Sequence, residues 1–69
     1  MQDYSMKISW PGGSGAGIHK FNNDDEAKQF ALKAVSRYPL NAKCEIYRLY
    51  DDGHEQYVGA AEHTVRLCL

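Results

Sequence analysis

The feature that constrains this chain most is a stripe of apolar residues at helical spacing near its middle. The stripe consists of Ala27, Phe30, Ala31, Ala34, Val35 and Tyr38. These positions follow the i, i+3, i+4, i+7 pattern of a helix with one face in a core. Either Asn22 or Asn23 can be the N-cap, and Asn23 has Glu26 three residues later, which is the spacing of a capping box. Pro39 ends the helix. The sequence therefore predicts one amphipathic helix with Phe30 as its central core ring.

The segment before the helix has the period-two alternation of a β-strand. Tyr4, Met6, Ile8 and Trp10 alternate with polar residues as far as Pro11. Residues 18–21 resemble a second, short strand. Five of the six residues 12–17 are glycine or alanine, and glycine loses more backbone entropy on ordering than any other residue. We therefore expect this glycine run to be a long, mobile hairpin loop.

A second hairpin is predicted after the helix. Residues 43–50 and 55–61 are strand-like, and Asp52-Gly53 between them is a strong turn signal. A two-residue turn would pair Arg48 with Tyr57, Ile46 with Gly59, and Cys44 with Ala61. Residues 64–69 are strand-like as well and either continue the last strand past a bulge near Gly59 or form a fifth strand. Both faces of this hairpin carry apolar side chains, so the alternation leaves open which face meets the helix.

Together these elements predict a single α+β domain over residues 1–69, with one helix on a small antiparallel sheet in the order β-β-α-β-β. A chain of 69 residues can build only one core. Its formal net charge of −1 favours neither nucleic acid nor an anionic membrane surface. The sequence contains no stretch of about 20 apolar residues and no signal-peptide pattern. We therefore expect a cytosolic location.

No constellation of residues points to an enzyme, a metal or a cofactor. Gly12 and Gly17 have the glycine spacing of a P-loop, but Ile18 and His19 occupy the positions of its Lys and Ser or Thr. The candidate zinc ligands Cys44, His54, His63 and Cys68 include no closely spaced pair. Whether Cys44 and Cys68 form a disulfide is left open. The sequence thus favours a binding protein without catalytic groups or a cofactor.

The most distinctive side chains are tyrosines and arginines around the second hairpin. Aromatic residues and arginine are enriched in protein interfaces. The predicted partner-binding surface consists of Arg37, Tyr38, Tyr47, Arg48, Tyr50 and Tyr57. Two alternatives remain: the same surface could stack on nucleic acid, which the low charge disfavours, or the glycine run could sequester a ligand. A homodimer is also possible.

The chain resembles small phage-encoded inhibitors of the anti-CRISPR type. The resemblance rests on the order hairpin, helix, hairpin and on the segment that opens the alanine-rich helix, Phe21-Asn22-Asn23-Asp24-Asp25-Glu26-Ala27. It implies an inhibitor that needs no cofactor. Such a protein would block a host defence protein or ribonucleoprotein complex by surface complementarity.

Overall fold

The computed structural model of the protein describes residues 1–64, which form four strands and one helix. In chain order they are β1 (Gln2–Trp10), β2 (Gly13–Phe21), α1 (Asp24–Val35), β3 (Lys43–Leu49) and β4 (Glu55–Glu62). The strands make one antiparallel sheet in the order β2-β1-β3-β4. The predicted α+β fold and the β-β-α-β-β order are confirmed. The segment 65–69, with most of the possible fifth strand and Cys68, lies outside the described residues.

The core lies between α1 and one face of the sheet. Its buried residues are Tyr4, Met6, Ala27, Ala31, Val35, Ala42, Cys44, Ile46 and Ala61. Because Cys44 and Ile46 are buried, the even-numbered face of β3 is the one that meets the helix. The prediction of Phe30 as a central core ring is wrong. Its side chain is 41% exposed and packs against Phe21 and His19 at the margin of the core.

The start of α1 follows from local hydrogen bonds. Asn23 is the N-cap, and its Oδ1 accepts a hydrogen bond of 2.9 Å from the backbone N–H of Glu26. The Glu26 carboxylate in turn accepts one of 3.3 Å from the backbone N–H of Asn22. These bonds satisfy N–H groups that a helix start leaves without partners. The regular helix ends at Val35, so Tyr38 belongs to the turn that follows it.

The sequence predicts a mobile loop for the glycine run, and this prediction is wrong. Residues 13–17 form the first half of β2. The turn is only Pro11 and Gly12, and Gly12 has a φ of +110°, which glycine adopts without steric cost. From Gly13 onward every residue of β2 pairs with β1, ending with Phe21 opposite Gln2. The long partner strand β1 supplies hydrogen bonds along the whole run, which offset the entropy that its glycines lose on ordering.

The second hairpin has a three-residue loop, residues 51–53, instead of the predicted two-residue turn. The backbone N–H of Tyr50 donates to the carbonyl of His54, and Gly53 has a φ of +92°. A loop longer by one residue shifts the strand register by one. The predicted pairing of Arg48 with Tyr57 is therefore wrong, because Tyr57 lies opposite Tyr47.

A β-bulge then restores the predicted register further along the hairpin. The register shifts by one residue between Ile46 and Tyr47, where Val58 is the extra residue of β4. Beyond the bulge, Ile46 lies opposite Gly59 and Cys44 opposite Ala61, as predicted. No helix among residues 1–64 is long and apolar enough to span a membrane.

Candidate functional site

The six residues predicted to bind a partner do not form one surface. Because neighbours in a strand point to opposite faces, Arg48 lies on the helix side of the sheet, whereas Tyr47 lies on the other face with Tyr57. Tyr50 lies beside Arg48, and its hydroxyl oxygen accepts a hydrogen bond of 3.2 Å from Nη1 of Arg48. The remaining two lie near the end of α1: Tyr38 packs on Trp10, with ring centroids 4.7 Å apart, and Arg37 is exposed.

Arg48 belongs to a polar network that ties the start of α1 to the sheet. The Asp24 carboxylate accepts hydrogen bonds of 2.5 Å from the Tyr4 hydroxyl and from Nη2 of Arg48. Hydrogen bonds from Arg48 and from Tyr4 hold the pKa of Asp24 below its ordinary value, and burial raises the pKa of Tyr4. The network continues from Arg48 through the Tyr50 hydroxyl to Gln56. Its groups satisfy one another, so we assign it a structural role.

Tyr47 and Tyr57 form a cross-strand pair on the sheet face away from the helix. Their rings meet edge to face with centroids 5.5 Å apart, and Lys7 Nζ lies 4.5 Å from the centroid of Tyr47. The Tyr47 hydroxyl donates to Glu45 at 2.8 Å, which raises the pKa of Tyr47. Lys7 also pairs with Glu55 at 3.3 Å. The two rings and the charged groups of Lys7, Glu45 and Glu55 therefore all have partners on this face, as is typical of a solvated sheet face.

Among the described residues, an apolar groove on the helix side of the sheet has no evident structural role. The helix packs mainly against β3 and β4 and leaves β2 largely uncovered. The groove between α1 and β2 has a volume of about 330 Å³. It is lined by apolar side chains, glycines and one histidine: Met6, Ile8, Gly15, Ala16, Gly17, His19, Phe30, Ala34, Tyr38 and Cys44. Ring contacts of Phe30 with His19 and of Tyr38 with Trp10 flank it.

The glycines of β2 are not all required by the fold. At Gly13 a Cβ would come within 2.9 Å of the Trp10 ring, so glycine is needed there. At Gly15 a Cβ would lie 3.8 Å from Ile8, and at Gly17 it would lie 3.5 Å from His19, both ordinary contacts. Neither residue has a positive φ. Glycine inside a strand weakens it and often marks a place where another backbone or a ligand approaches closely.

The outer edge of β2 borders this groove and has free backbone groups. The residues that flank a two-residue hairpin turn, Trp10 and Gly13, are a hydrogen-bonded pair, and such pairs recur at every second position. The backbone N–H and C=O groups of Ser14, Ala16, Ile18 and Lys20 therefore point away from β1. Within residues 1–64, β1 is the sole neighbour of β2 in the sheet. A row of eight backbone donors and acceptors is thus available along this edge.

The two edges of the sheet differ in how they are protected. Proteins commonly protect edge strands with charged side chains, prolines or bulges. The β4 edge has the bulge at Val58 and carries Glu55 and Glu62. The β2 edge has no bulge and no proline, and its first charged residue is Lys20 near its end. Among residues 1–64, the β2 edge is therefore the less protected of the two.

The histidines of the chain lie apart from one another. His19 packs on Phe30 beside the groove, and His54 stacks on Tyr50 with its Nδ1 2.5 Å from Asp52. His63 Nδ1 lies 2.8 Å from the carbonyl oxygen of Tyr38. In the part of the chain that the structure describes, no three His, Cys, Asp or Glu side chains form a group suited to a metal ion.

Sequence reasoning missed the groove, although a signal for it is present. Glycine at 13, 15 and 17 repeats every second residue, which is the period of a strand with one bare face. Interpretation of the run as a loop hid that period.

In comparisons with protein-family models, with curated proteins and with solved structures, the chain matched none.

Proposed function

We propose that this chain is a small binding protein that takes up an extended segment of a partner protein along the edge of β2. The observation that carries the proposal is that an open strand edge and an apolar groove lie along the same strand, β2 (Gly13–Phe21), whose residues Gly15, Ala16, Gly17 and His19 line the groove. Binding of this kind needs neither a catalytic group nor a cofactor.

Backbone hydrogen bonds would hold the partner segment. An extended peptide that adds a strand gains affinity from its main chain and specificity from alternate side chains. Ser14, Ala16, Ile18 and Lys20 present the N–H and C=O groups that such a strand would pair with. On the helix side, the alternate side chains of the added strand would lie beside Gly15 and Gly17. The groove above these glycines has room for them.

The lining of the groove defines the chemistry of the segment. Phe30, Ala34 and Tyr38 offer apolar contacts, and β2 carries no Asp, Glu, Lys or Arg before Lys20. Lys20 itself lies 3.9 Å from Asp3, an ion pair that offsets its charge. The fitting partner is therefore an uncharged extended segment with aliphatic or aromatic side chains at every second position.

The resemblance to phage-encoded inhibitors makes a host defence complex the first partner to examine. The inhibitor role, such a partner and a cytosolic location remain predictions from the sequence. The proposed surface replaces the Tyr and Arg surface as the place where a partner would bind.

Selection of nonapeptides from a displayed random library on the immobilised protein tests the proposal. We expect selected peptides to carry apolar residues at alternate positions. Fluorescence polarisation would then compare the wild type with Ala16→Pro and with its matched control Ala16→Ser. Proline removes the outward N–H of residue 16 but no hydrogen bond to β1. Affinity should fall at least about tenfold in Ala16→Pro, the equivalent of about 1.4 kcal/mol, and stay unchanged in Ala16→Ser.

Gly15→Val probes the groove separately from the edge. Its Cβ meets an ordinary contact, so the variant should fold, while its branched side chain fills the space above the strand. We expect weaker peptide binding together with an undiminished melting temperature. Peptides that bind Ala16→Pro and Gly15→Val as tightly as the wild type would refute this site. Peptide binding that weakens steeply with salt would also refute it, because that dependence indicates attraction between charged groups and not backbone and apolar contacts.

A further inference from the structure

We infer that a second copy of this chain is itself a ligand of the β2 edge, so that two copies join through antiparallel β2 strands about a two-fold axis at Gly17. The inference rests on the open edge that the proposed function uses. It adds a specific occupant of that edge and the register in which it binds.

The register follows from the spacing of the outward-facing residues. A two-fold axis at Gly17 pairs Ser14 with Lys20 of the second copy and Ala16 with its Ile18. All four outward-facing residues of each copy then form backbone hydrogen bonds, and the nine residues of β2 overlap along their full length. A shift of two residues in either direction leaves Ser14 or Lys20 of each copy without a strand partner. The central register therefore gives the most hydrogen bonds.

The side chains are complementary in the same register. On the helix side, His19 of one copy lies opposite Gly15 of the other, so a large side chain meets a residue that has none. On the other face, Ile18, which is 64% exposed in a single copy, lies opposite Ala16. Side chains directly opposite each other in an antiparallel pair have Cβ atoms about 5 Å apart. Pairing of two copies would therefore cover Ile18 and place His19 at the open side of the groove.

Electrostatics do not oppose this association. The register places Lys20 opposite Ser14 of the second copy and brings no like charges directly together. The formal net charge of each chain is −1, so two copies repel each other only weakly. Since the second copy occupies the backbone groups that a partner segment needs, self-association and partner binding should compete. Apparent affinity for a selected peptide should then fall as the protein concentration rises.

Disulfide cross-linking tests the register directly. In a Cys68→Ser background, Gly17→Cys places two thiols at a pair that is not hydrogen-bonded in the new ladder. The Cα atoms of such a pair lie about 4.5 Å apart, within the range that a disulfide spans. The matched control Ser14→Cys places its two thiols about 20 Å apart. Cys44 is buried in both variants, so the introduced thiol is the reactive one.

We expect Gly17→Cys to form a covalent dimer at least about tenfold faster than Ser14→Cys under mild oxidation, since only its thiols are held close together. Adding Ala16→Pro should remove most of this difference. Sedimentation of the wild type should show a dimer that Ala16→Pro weakens and Ala16→Ser does not.

Equal cross-linking rates for the two cysteine variants would overturn the register. A wild type that stays monomeric up to about 1 mM would overturn the dimer, because that concentration detects even weak association. Selected peptides that still bind such a monomer would leave the proposed function intact. A dimer that forms in this register while no peptide binds would support the inference and refute the proposed function.

Discussion

The indole ring of Trp10 lies over Gly13, the residue directly opposite it in the β1–β2 ladder. The position of the indole is fixed as well, because it also packs on the ring of Tyr38. Trp10 therefore cannot move away from residue 13 without losing a contact with the segment after the helix. A side chain at position 13 would disturb this arrangement, although the neighbouring glycines of β2 have space.

This contrast predicts opposite effects for two glycine-to-alanine substitutions in one strand. Gly13→Ala should lower the free energy of unfolding by about 1–3 kcal/mol, the usual cost of overpacking. Gly15→Ala should raise it by about 0.5–1 kcal/mol, because alanine loses less backbone entropy and its Cβ meets no close contact. Urea denaturation of the two variants measures both values. Equal destabilisation would mean that Gly15 is needed by the fold and would weaken the case for the groove.

Amide exchange should alternate along the glycine run. The N–H groups of Gly13, Gly15 and Gly17 donate to β1 and should exchange slowly, whereas those of Ser14 and Ala16 face the open edge and should exchange fast. Protection in a ladder requires at least local opening before exchange. Exchange measured by NMR on a dilute sample, where copies are apart, tests this pattern. Uniformly fast exchange over residues 13–17 would restore the loop that the sequence predicts.

The network at the start of the helix predicts a dependence of stability on pH. Asp24 has a folded pKa below its ordinary value of 3.8 because Arg48 and Tyr4 donate hydrogen bonds to its charged form. Its contribution is present in full above the pKa of the unfolded chain and is lost as the pH falls through the folded pKa. Asp24→Asn should therefore be less stable than the wild type at pH 6, and the difference should shrink below pH 3.8.

Thermal melts between pH 6 and pH 2 measure this difference. Asp25→Asn is a matched control, because Asp25 is exposed in the same helical turn and the Tyr4 and Arg48 hydrogen bonds go to Asp24. A gap between wild type and Asp24→Asn that stays constant over this range would contradict the assigned cause.

The position of Phe30 at the margin of the core predicts a modest cost for its removal. Ile46→Ala should lower the free energy of unfolding by about 2–5 kcal/mol, because Ile46 is completely buried. Phe30→Ala should cost less, about 1–2 kcal/mol, since 41% of its side chain is already exposed. Lys33→Ala is a suitable control, because Lys33 is exposed on the helix. If Phe30→Ala proved as costly as Ile46→Ala, Phe30 would be a core residue after all.

Sequence periodicity predicts the element types and their order because each follows from local patterns. The stripe around Ala27 and Ala31 and the alternation of Tyr4 with Met6 each identify an element on their own. The register of the second hairpin depends on whether the loop has two or three residues, and on a compensating bulge at Val58. Neither feature has a distinctive sequence pattern, so the pairing of Arg48 could not be predicted.

The candidate site was harder to predict because it depends on contacts between distant segments. Tyr47 and Arg48 are adjacent in sequence, which favours placing them in one surface, yet they point to opposite faces of β3. The glycine run becomes a strand because β1 pairs with its whole length. The groove exists because α1 packs towards β3 and β4 and not towards β2. No single segment of the sequence contains that information.

The unequal protection of the two sheet edges also limits how far assembly through strands can proceed. A sheet with two open edges can recruit a new copy at each end and grow without limit into a fibre. Here the bulge at Val58, with Glu55 and Glu62, acts as a stop at the β4 end. Pairing through β2 would use up the only edge that is open among the described residues. Growth would then terminate at eight strands, because a two-fold contact of this kind closes on itself.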